Sequence, residues 1–210
     1  MVLKLFFIIV IAHIIFFISK ALYLYVRNIK LVKGIPNNVQ AVSFHTYKPK
    51  NSIIPKRGQM IAHYAYQIAE TINVPIILSV GNTVPNEPRM ESEIYRDYIF
   101  NNHGTDIPII TRSGSKATDT NREVRESFTR CQELNIKSFG VIGLIPHLVL
   151  RIIPYWQKIN VHQNVIIYFD GIIGPPQYIF WEFVMMILEN YIPPNSKQRK
   201  FILNLVNRRG

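Results

Sequence analysis

The residues of this sequence best suited to chemistry lie in three short polar segments, each following a run of β-branched and aliphatic residues. The last of these segments contains His147 and, four residues later, Arg151. On a helix this spacing places both side chains on one face. A titratable imidazole beside a fixed cation suits acid/base work and anion binding. A histidine at a helix start, next to a surface arginine, explains the same pair equally well.

The middle segment, residues 112–121, combines small hydroxyl residues and glycine with two cations, Arg112 and Lys116. Backbone amides and hydroxyls in such a segment could hold phosphate oxygens. The alternative is a helix N-cap at Thr118 or Asp119, with Glu123 closing a capping box. That alternative leaves both cations and Asn121 unexplained.

The first segment reads Ser79-Val80-Gly81-Asn82-Thr83 and is followed by Glu91-Ser92-Glu93 at a helix start. A glycine allows backbone amides to approach an anion, and a helix N-terminus adds further donors. A Gly-Asn pair is more often only a turn.

The elements that must position these segments alternate along the chain. Short β-branched runs predict strands, and longer stretches with apolar residues at spacings of three and four predict helices. The predicted strands are Val39–Phe44, Pro75–Ser79, Ile107–Thr111, Phe139–Leu144 and Val165–Phe169, and the predicted helices are Met60–Ile72, Met90–Asn101, Thr120–Leu134 and His147–Trp156.

This alternation predicts one Rossmann-like domain with a mostly parallel sheet between two helix layers, a three-layer α/β/α arrangement. Ligands bind such sheets beyond the carboxyl ends of the strands, which is where all three polar segments fall. A last segment, Gln177–Ile192, is predicted to cover the domain as a helix. Glu182 and Glu189 make a second membrane anchor costly there.

The N-terminal segment from Leu5 to Val26 is strongly apolar. About 22 helical residues at about 1.5 Å each cross a hydrocarbon layer of about 30 Å. A cleaved signal peptide is the alternative, but no small-x-small site follows, and Tyr23, Tyr25 and Arg27 are typical of a membrane interface. We therefore predict a transmembrane anchor at residues 1–26, a basic linker at 27–38 and the α/β domain at 39–210.

The composition restricts the partners. Lys and Arg number 24 against 13 Asp and Glu, and the resulting net charge of +11 predicts anionic binding partners. Anionic lipid headgroups of the bilayer or a phosphorylated small molecule fit a tethered domain better than nucleic acid, for which no motif is present. The one cysteine, Cys131, excludes an intramolecular disulfide and a Cys-rich zinc site. The histidines lack metal-ligand spacing, so we predict no metal.

The polar segments, in this order, resemble the YdcF/SanA/ElyC-like family of bacterial envelope proteins (domain of unknown function 218), from about Val39 to Ile192. The sequence departs from the family pattern in four places. The glycine after the first strand is absent, Val80 replaces a glycine, Thr120 replaces a glutamate, and the Arg lies four positions after the His instead of three. The matching residues are Ser79 and Gly81, Ser92 and Glu93, Thr118 and Asn121, and His147 and Arg151.

This resemblance implies a protein of the bacterial inner membrane that serves cell-wall or peptidoglycan biogenesis and binds a phosphorylated or nucleotide-like ligand. The implied acid/base residues are Glu93 and His147. The alternative is a noncatalytic membrane scaffold with a degenerate pocket, which the departures favour. The implied ligand-binding residues are Ser79, Gly81, Asn82, Ser92, Ser113, Gly114, Ser115, Thr118, Asn121 and Arg151.

The side of the membrane on which the domain lies is open to two arguments. Arg27, Lys30 and Lys33 follow the anchor whereas only Lys4 and the terminal amine precede it, which favours a cytoplasmic domain. The family resemblance implies a periplasmic one, and this is the orientation we predict.

Overall fold

The fold was analysed in a computed structural model of the chain, which describes residues 2–81, 88–112, 114–115, 117, 119–160, 165–174, 177–192, 196–198 and 201. A long N-terminal helix is followed by alternating strands and helices. The strands are β1 (Ala41–Phe44), β2 (Ile76–Leu78), β3 (Ile109–Thr111), β4 (Ser138–Leu144) and β5 (Ile166–Ile172). The helices are α1 (Val2–Ile29), α2 (Lys56–Ile72), α3 (Glu91–His103), α4 (Thr120–Glu133), α5 (Ile145–His147), α6 (Ile153–Ile159) and α7 (Gln177–Tyr191).

All strand pairings in the sheet are parallel, and the strand order is β3-β2-β1-β4-β5. The predicted Rossmann-like α/β domain is therefore confirmed. The order reverses direction between β1 and β4, where Phe44 pairs with Ile142. This reversal leaves a crevice at the carboxyl ends of the two central strands, the usual ligand position in open parallel sheets.

Apolar side chains fill both faces of the sheet. Because successive residues of a strand point to opposite faces, Ala41 of β1 packs on one side and Val42 on the other. The first side is covered by α4 and α6, with Phe128, Phe139, Val141 and Trp156 in its core. The second is covered by α2 and α3, with Phe44, Ile61, Ala65 and Tyr95 in its core.

Helix α1 extends three residues beyond the predicted end of the anchor, to Ile29. Its segment Phe7–Ile29 is, among the described residues, the one helix long and apolar enough to cross a membrane. Its last turns pack on the domain, where Asn28 Nδ2 donates to the Val149 carbonyl at 2.7 Å. The predicted linker also contacts the sheet, because Val32 bridges to Phe169 of β5.

Candidate functional site

A buried polar cluster occupies the crevice between the carboxyl ends of β1 and β4. We call it the switch-point cluster. Polar side chains this deeply buried must satisfy one another or a ligand, since an unpaired one costs about 1–3 kcal/mol. The cluster consists of the buried residues His45, Thr46 and Tyr47 after β1, Tyr95 of α3, Thr120 and Glu123 of α4, His147 and Arg151 after β4 and Glu182 of α7, and of the partly buried Arg57 of α2.

His147 lies at the centre of the cluster and is 6% exposed. Its Nδ1 lies 3.3 Å from the Tyr47 hydroxyl, and its Nε2 lies 3.2 Å from Thr120 Oγ1. Burial lowers the pKa of His147 well below its ordinary value, and the charges of Arg151, His45 and Arg57 lower it further. The imidazole is therefore neutral, with one ring nitrogen donating and the other accepting.

His45 and Glu123 form a second pair beside it. His45 Nδ1 lies 2.9 Å from Glu123 Oε2, and the backbone amide of Thr46 donates to Glu123 Oε1 at 3.4 Å. The His45 and His147 rings meet edge to face, with centroids 6.0 Å apart. A carboxylate that fixes an imidazole in this way is a common device for acid/base chemistry.

Tyr95 holds the segment after β1 in place. Its hydroxyl donates to the Tyr47 carbonyl at 2.7 Å and accepts from the Tyr47 amide at 2.9 Å. The guanidinium of Arg57 lies over the Tyr47 ring, 5.1 Å from its centroid. Burial raises the pKa of Tyr47 well above its ordinary value, so this phenol is neutral.

Arg151 lies in a π-helical turn, Leu148–Ile152, between α5 and α6. Such turns accommodate one additional residue and occur often at functional sites. Arg151 lies four positions after His147 and close enough to it to lower its pKa. Arg151 Nη1 lies 3.3 Å from Glu182 Oε2, and both side chains are buried. The buried cation is thus neutralised by α7.

The turns after β2 and β3 lie against each other. The Gly81 amide donates to the Ala117 carbonyl at 2.8 Å, and Ser115 Oγ donates to the Ser79 carbonyl at 2.6 Å. A Cβ atom at Gly81 would lie 2.2 Å from the Ser115 carbonyl oxygen. Gly81 is therefore required for close packing of two loops, and its amide is already engaged.

Three buried hydroxyls near the carboxyl ends of β1 and β2 have no hydrogen-bond partner among the described residues. They belong to Thr46, Ser79 and Ser92. Ser92 lies in the first turn of α3, beside Glu91, whose amide donates to the Gly81 carbonyl at 3.1 Å. Donors that the protein leaves unused at this position are available to a ligand.

The residues assigned from the sequence divide into several groups. His147 and Arg151 belong to the cluster, and Ser79, Gly81, Ser92 and Ser115 lie at the adjoining turns. The Glu93 carboxylate accepts from the Met90 amide at 2.8 Å and so caps α3. Asn121 Oδ1 accepts from Arg125 on the exposed face of α4, and Gly114 is exposed. Asn82, Ser113 and Thr118 lie outside the described residues.

Sequence reasoning missed most of the cluster. The site residues predicted from the sequence lie in the turns after β2, β3 and β4. The polar run His45-Thr46-Tyr47 after β1 was overlooked, although ligands bind at the carboxyl ends of the central strands. Glu123 and Thr120 could have been found as polar residues on the inner face of an amphipathic helix. No sequence pattern marked Arg57 or Glu182 as site residues. The partner of Glu182, Arg151, lies 31 positions away.

Among the described residues, no group of three His, Cys, Asp or Glu residues could hold a metal ion. An open groove of ≈ 450 Å³ lies beside the end of α1 and contains none of the cluster residues; it is lined by Leu22, Tyr23, Val26, Arg27 and Lys30.

Comparisons with protein-family models, with characterised proteins and with solved structures find no match to this chain. The function must therefore be argued from the switch-point cluster itself.

Proposed function

We propose that this chain is a membrane-anchored protein of the bacterial cell envelope that binds a phosphorylated or nucleotide-like ligand at the carboxyl ends of β1, β2 and β4. The observation that carries this proposal is three buried hydroxyls that have no hydrogen-bond partner among the described residues, on Thr46 of the switch-point cluster and on Ser79 and Ser92 at the adjoining turns. Three such hydroxyls would cost several kcal/mol at about 1–3 kcal/mol each, and a ligand that accepts from them removes this cost.

The charges of the cluster favour an anionic ligand group. Arg151 and Arg57 both lie near enough to His147 to lower its pKa. The Glu182 carboxylate, 3.3 Å from Arg151, marks where an anionic oxygen is stabilised. A phosphate oxygen bound to Arg151 would take the place of this carboxylate, with a charge-assisted hydrogen bond of the same kind.

The resemblance to YdcF/SanA/ElyC-like proteins supports a role in cell-wall or peptidoglycan biogenesis. For an enzymatic role, His147 is the acid/base residue with the better placement, since it contacts the Thr120 and Tyr47 hydroxyls. Glu93 would have to release the Met90 amide to serve as a second acid/base group. The length and apolar character of Phe7–Ile29 support the membrane anchor.

A noncatalytic scaffold is the second candidate, and one observation favours it. Arg151 and Glu182 already neutralise each other, both less than a tenth exposed. A pocket that has lost its ligand would be expected to close in this way. The basic surface would then bind anionic lipid headgroups.

A thermal-shift screen of the full chain in detergent, with nucleotides, sugar nucleotides and polyprenyl phosphates, tests ligand binding, because a ligand that binds only the folded state raises the Tm. Ser92→Ala removes one unused donor, and Ser138→Ala is its matched control. Ser138 Oγ is likewise buried and unpartnered, but it lies at the amino end of β4.

We expect Ser92→Ala to weaken the best ligand by about ten-fold or more, since a hydrogen bond to a charged group contributes about 1.5–3 kcal/mol. Ser138→Ala should bind it as the parent does. Equal binding by Ser92→Ala and the parent, or the absence of any stabilising compound, would favour the scaffold.

A further inference from the structure

The end of α7 packs against the middle of α1. The ring of Tyr191 lies 5.2 Å from the ring of Phe17 and 6.0 Å from that of His13, measured between centroids. Phe17 is 3% exposed, whereas Phe16 and Ile18 beside it are 60% and 45% exposed. One face of the long apolar helix is therefore covered at this level by α7.

The two helices leave the domain from neighbouring points. Asn28 of α1 donates to the Val149 carbonyl, and Val149 lies between His147 and Arg151 in the chain. Glu182 of α7 contacts Arg151. From Asn28 to Phe17, α1 rises about 16 Å, and from Glu182 to Tyr191, α7 rises about 14 Å. Similar lengths between two shared contact points place the helices side by side.

The depth of this contact in a membrane follows from its position in α1. The segment long enough to cross is Phe7–Ile29, and Phe17 lies close to its middle. With a hydrocarbon layer of about 30 Å, the middle is about 15 Å from either surface. A residue in contact with Phe17 must lie at a similar depth.

We propose that α7 is a second membrane-embedded helix, whose carboxyl-terminal half enters the bilayer beside α1 as far as Tyr191. This inference rests on the membrane anchoring in the proposed function. It places the switch-point cluster at the membrane surface, where the two helices meet the domain.

The sequence of α7 fits this arrangement. Six consecutive apolar residues, Phe183 to Leu188, follow Glu182. The charge of Glu182 stays at the domain end, paired with Arg151. The one acidic residue that follows them, Glu189, can enter the hydrocarbon only in its neutral form or beside a polar partner. A helix that enters only half of the bilayer leaves Glu182 at the membrane surface and takes only Glu189 into the lipid.

Spin-label accessibility in liposomes measures this depth directly. The full chain is reconstituted with Cys131 replaced by alanine and a single cysteine introduced in turn. Tyr191→Cys tests the proposal. Phe16→Cys is the reference for a label in lipid, because Phe16 is exposed on α1, and Asn101→Cys is the reference for a label in water, because Asn101 is exposed on α3. Ile192→Cys provides a second test position if Tyr191→Cys fails to fold.

We expect labels at 16 and 191 to be relaxed by oxygen, which concentrates in lipid, and the label at 101 to be relaxed by a water-soluble nickel complex. If the labels at 191 and 192 follow the one at 101 while the label at 16 stays in lipid, the inference is wrong and the anchor survives. If the label at 16 also follows the one at 101, the anchoring itself fails.

Discussion

Arg151 and Glu182 form an ion pair inside the domain, with Nη1 and Oε2 3.3 Å apart and the two side chains 9% and 8% exposed. This contact joins α7 to the π-helical turn after β4, beside the crevice between the central strands. A pair of this kind contributes little net stability, because removing both charges from water costs nearly as much as their attraction returns. Loss of one partner alone, in contrast, strongly destabilises the folded domain.

Arg151→Ala should destabilise the folded domain by about 3–5 kcal/mol, because the buried Glu182 carboxylate loses the cation 3.3 Å away. The double variant Arg151→Met/Glu182→Leu should recover most of this loss, since both charges are gone. Chemical unfolding of the full chain in detergent measures the free energies of unfolding. If the effects of Arg151→Met alone and Glu182→Leu alone add up to that of the double variant, the pair is not coupled.

The stability of the domain should fall as the pH decreases below about 6.5, because of His147. Its pKa is lowered in the folded state, so between the folded and unfolded pKa values the unfolded chain binds the extra proton. The stabilisation is fully present above the unfolded pKa and decreases by up to about 1.4 kcal/mol per pH unit below it.

His147→Gln should remove this part of the pH dependence. The pKa of His103 is also lowered, so His103 contributes to the pH dependence of stability in the same direction. This contribution is the same in the parent and the variant and cancels when the two are compared. Free energies of unfolding at pH 8 and pH 5 give the measurement. An identical slope for parent and variant would mean that folding does not lower the pKa of His147.

Gly58→Ala should destabilise the domain by about 1–3 kcal/mol through overpacking. A Cβ atom there would lie 2.1 Å from the Tyr95 hydroxyl, which holds the segment after β1. The gain in helix propensity, about 1 kcal/mol at most, does not offset this clash. Gly174→Ala is the control, because its nearest neighbour would lie 3.4 Å away. Equal unfolding midpoints for the two variants would contradict the close packing of Gly58.

The fold could be predicted because its signals are local and repeated. Every predicted strand overlaps an observed one, since the runs of Ile, Val and Phe can be buried only in a sheet covered on both faces. The errors lie at boundaries and in the predicted helix His147–Trp156, where the π-helical turn Leu148–Ile152 separates α5 from α6. The helix Lys56–Ile72 begins four residues before the predicted start at Met60, because Pro55 at its N-cap and Lys56 to Gln59 carry no apolar periodicity.

The candidate site was harder to predict because its contacts are not local. The pair of His147 and Arg151 was visible as a short spacing, but Tyr47 and His147 are 100 positions apart and His45 and Glu123 are 78 apart. Polar residues at a strand end mark the place where a site can form. Which of them meet depends on the strand order, and no single segment encodes that order.

The domain and the C-terminus should lie on the same side of the membrane, and we expect this side to be the periplasm. The 15 residues of α7 rise only about 22 Å, less than the hydrocarbon layer of about 30 Å, so α7 cannot carry the chain across. Alkaline phosphatase fused after Gly210 should therefore be active, because it folds only where disulfides form. The positive charges that flank the anchor oppose this orientation only weakly, since Arg27, Lys30 and Lys33 follow it and Lys4 and the terminal amine precede it.

As a control, an impermeant maleimide should label Asn101→Cys in intact spheroplasts. Activity of a cytoplasmic reporter alone, with Asn101→Cys protected, would place the domain in the cytoplasm.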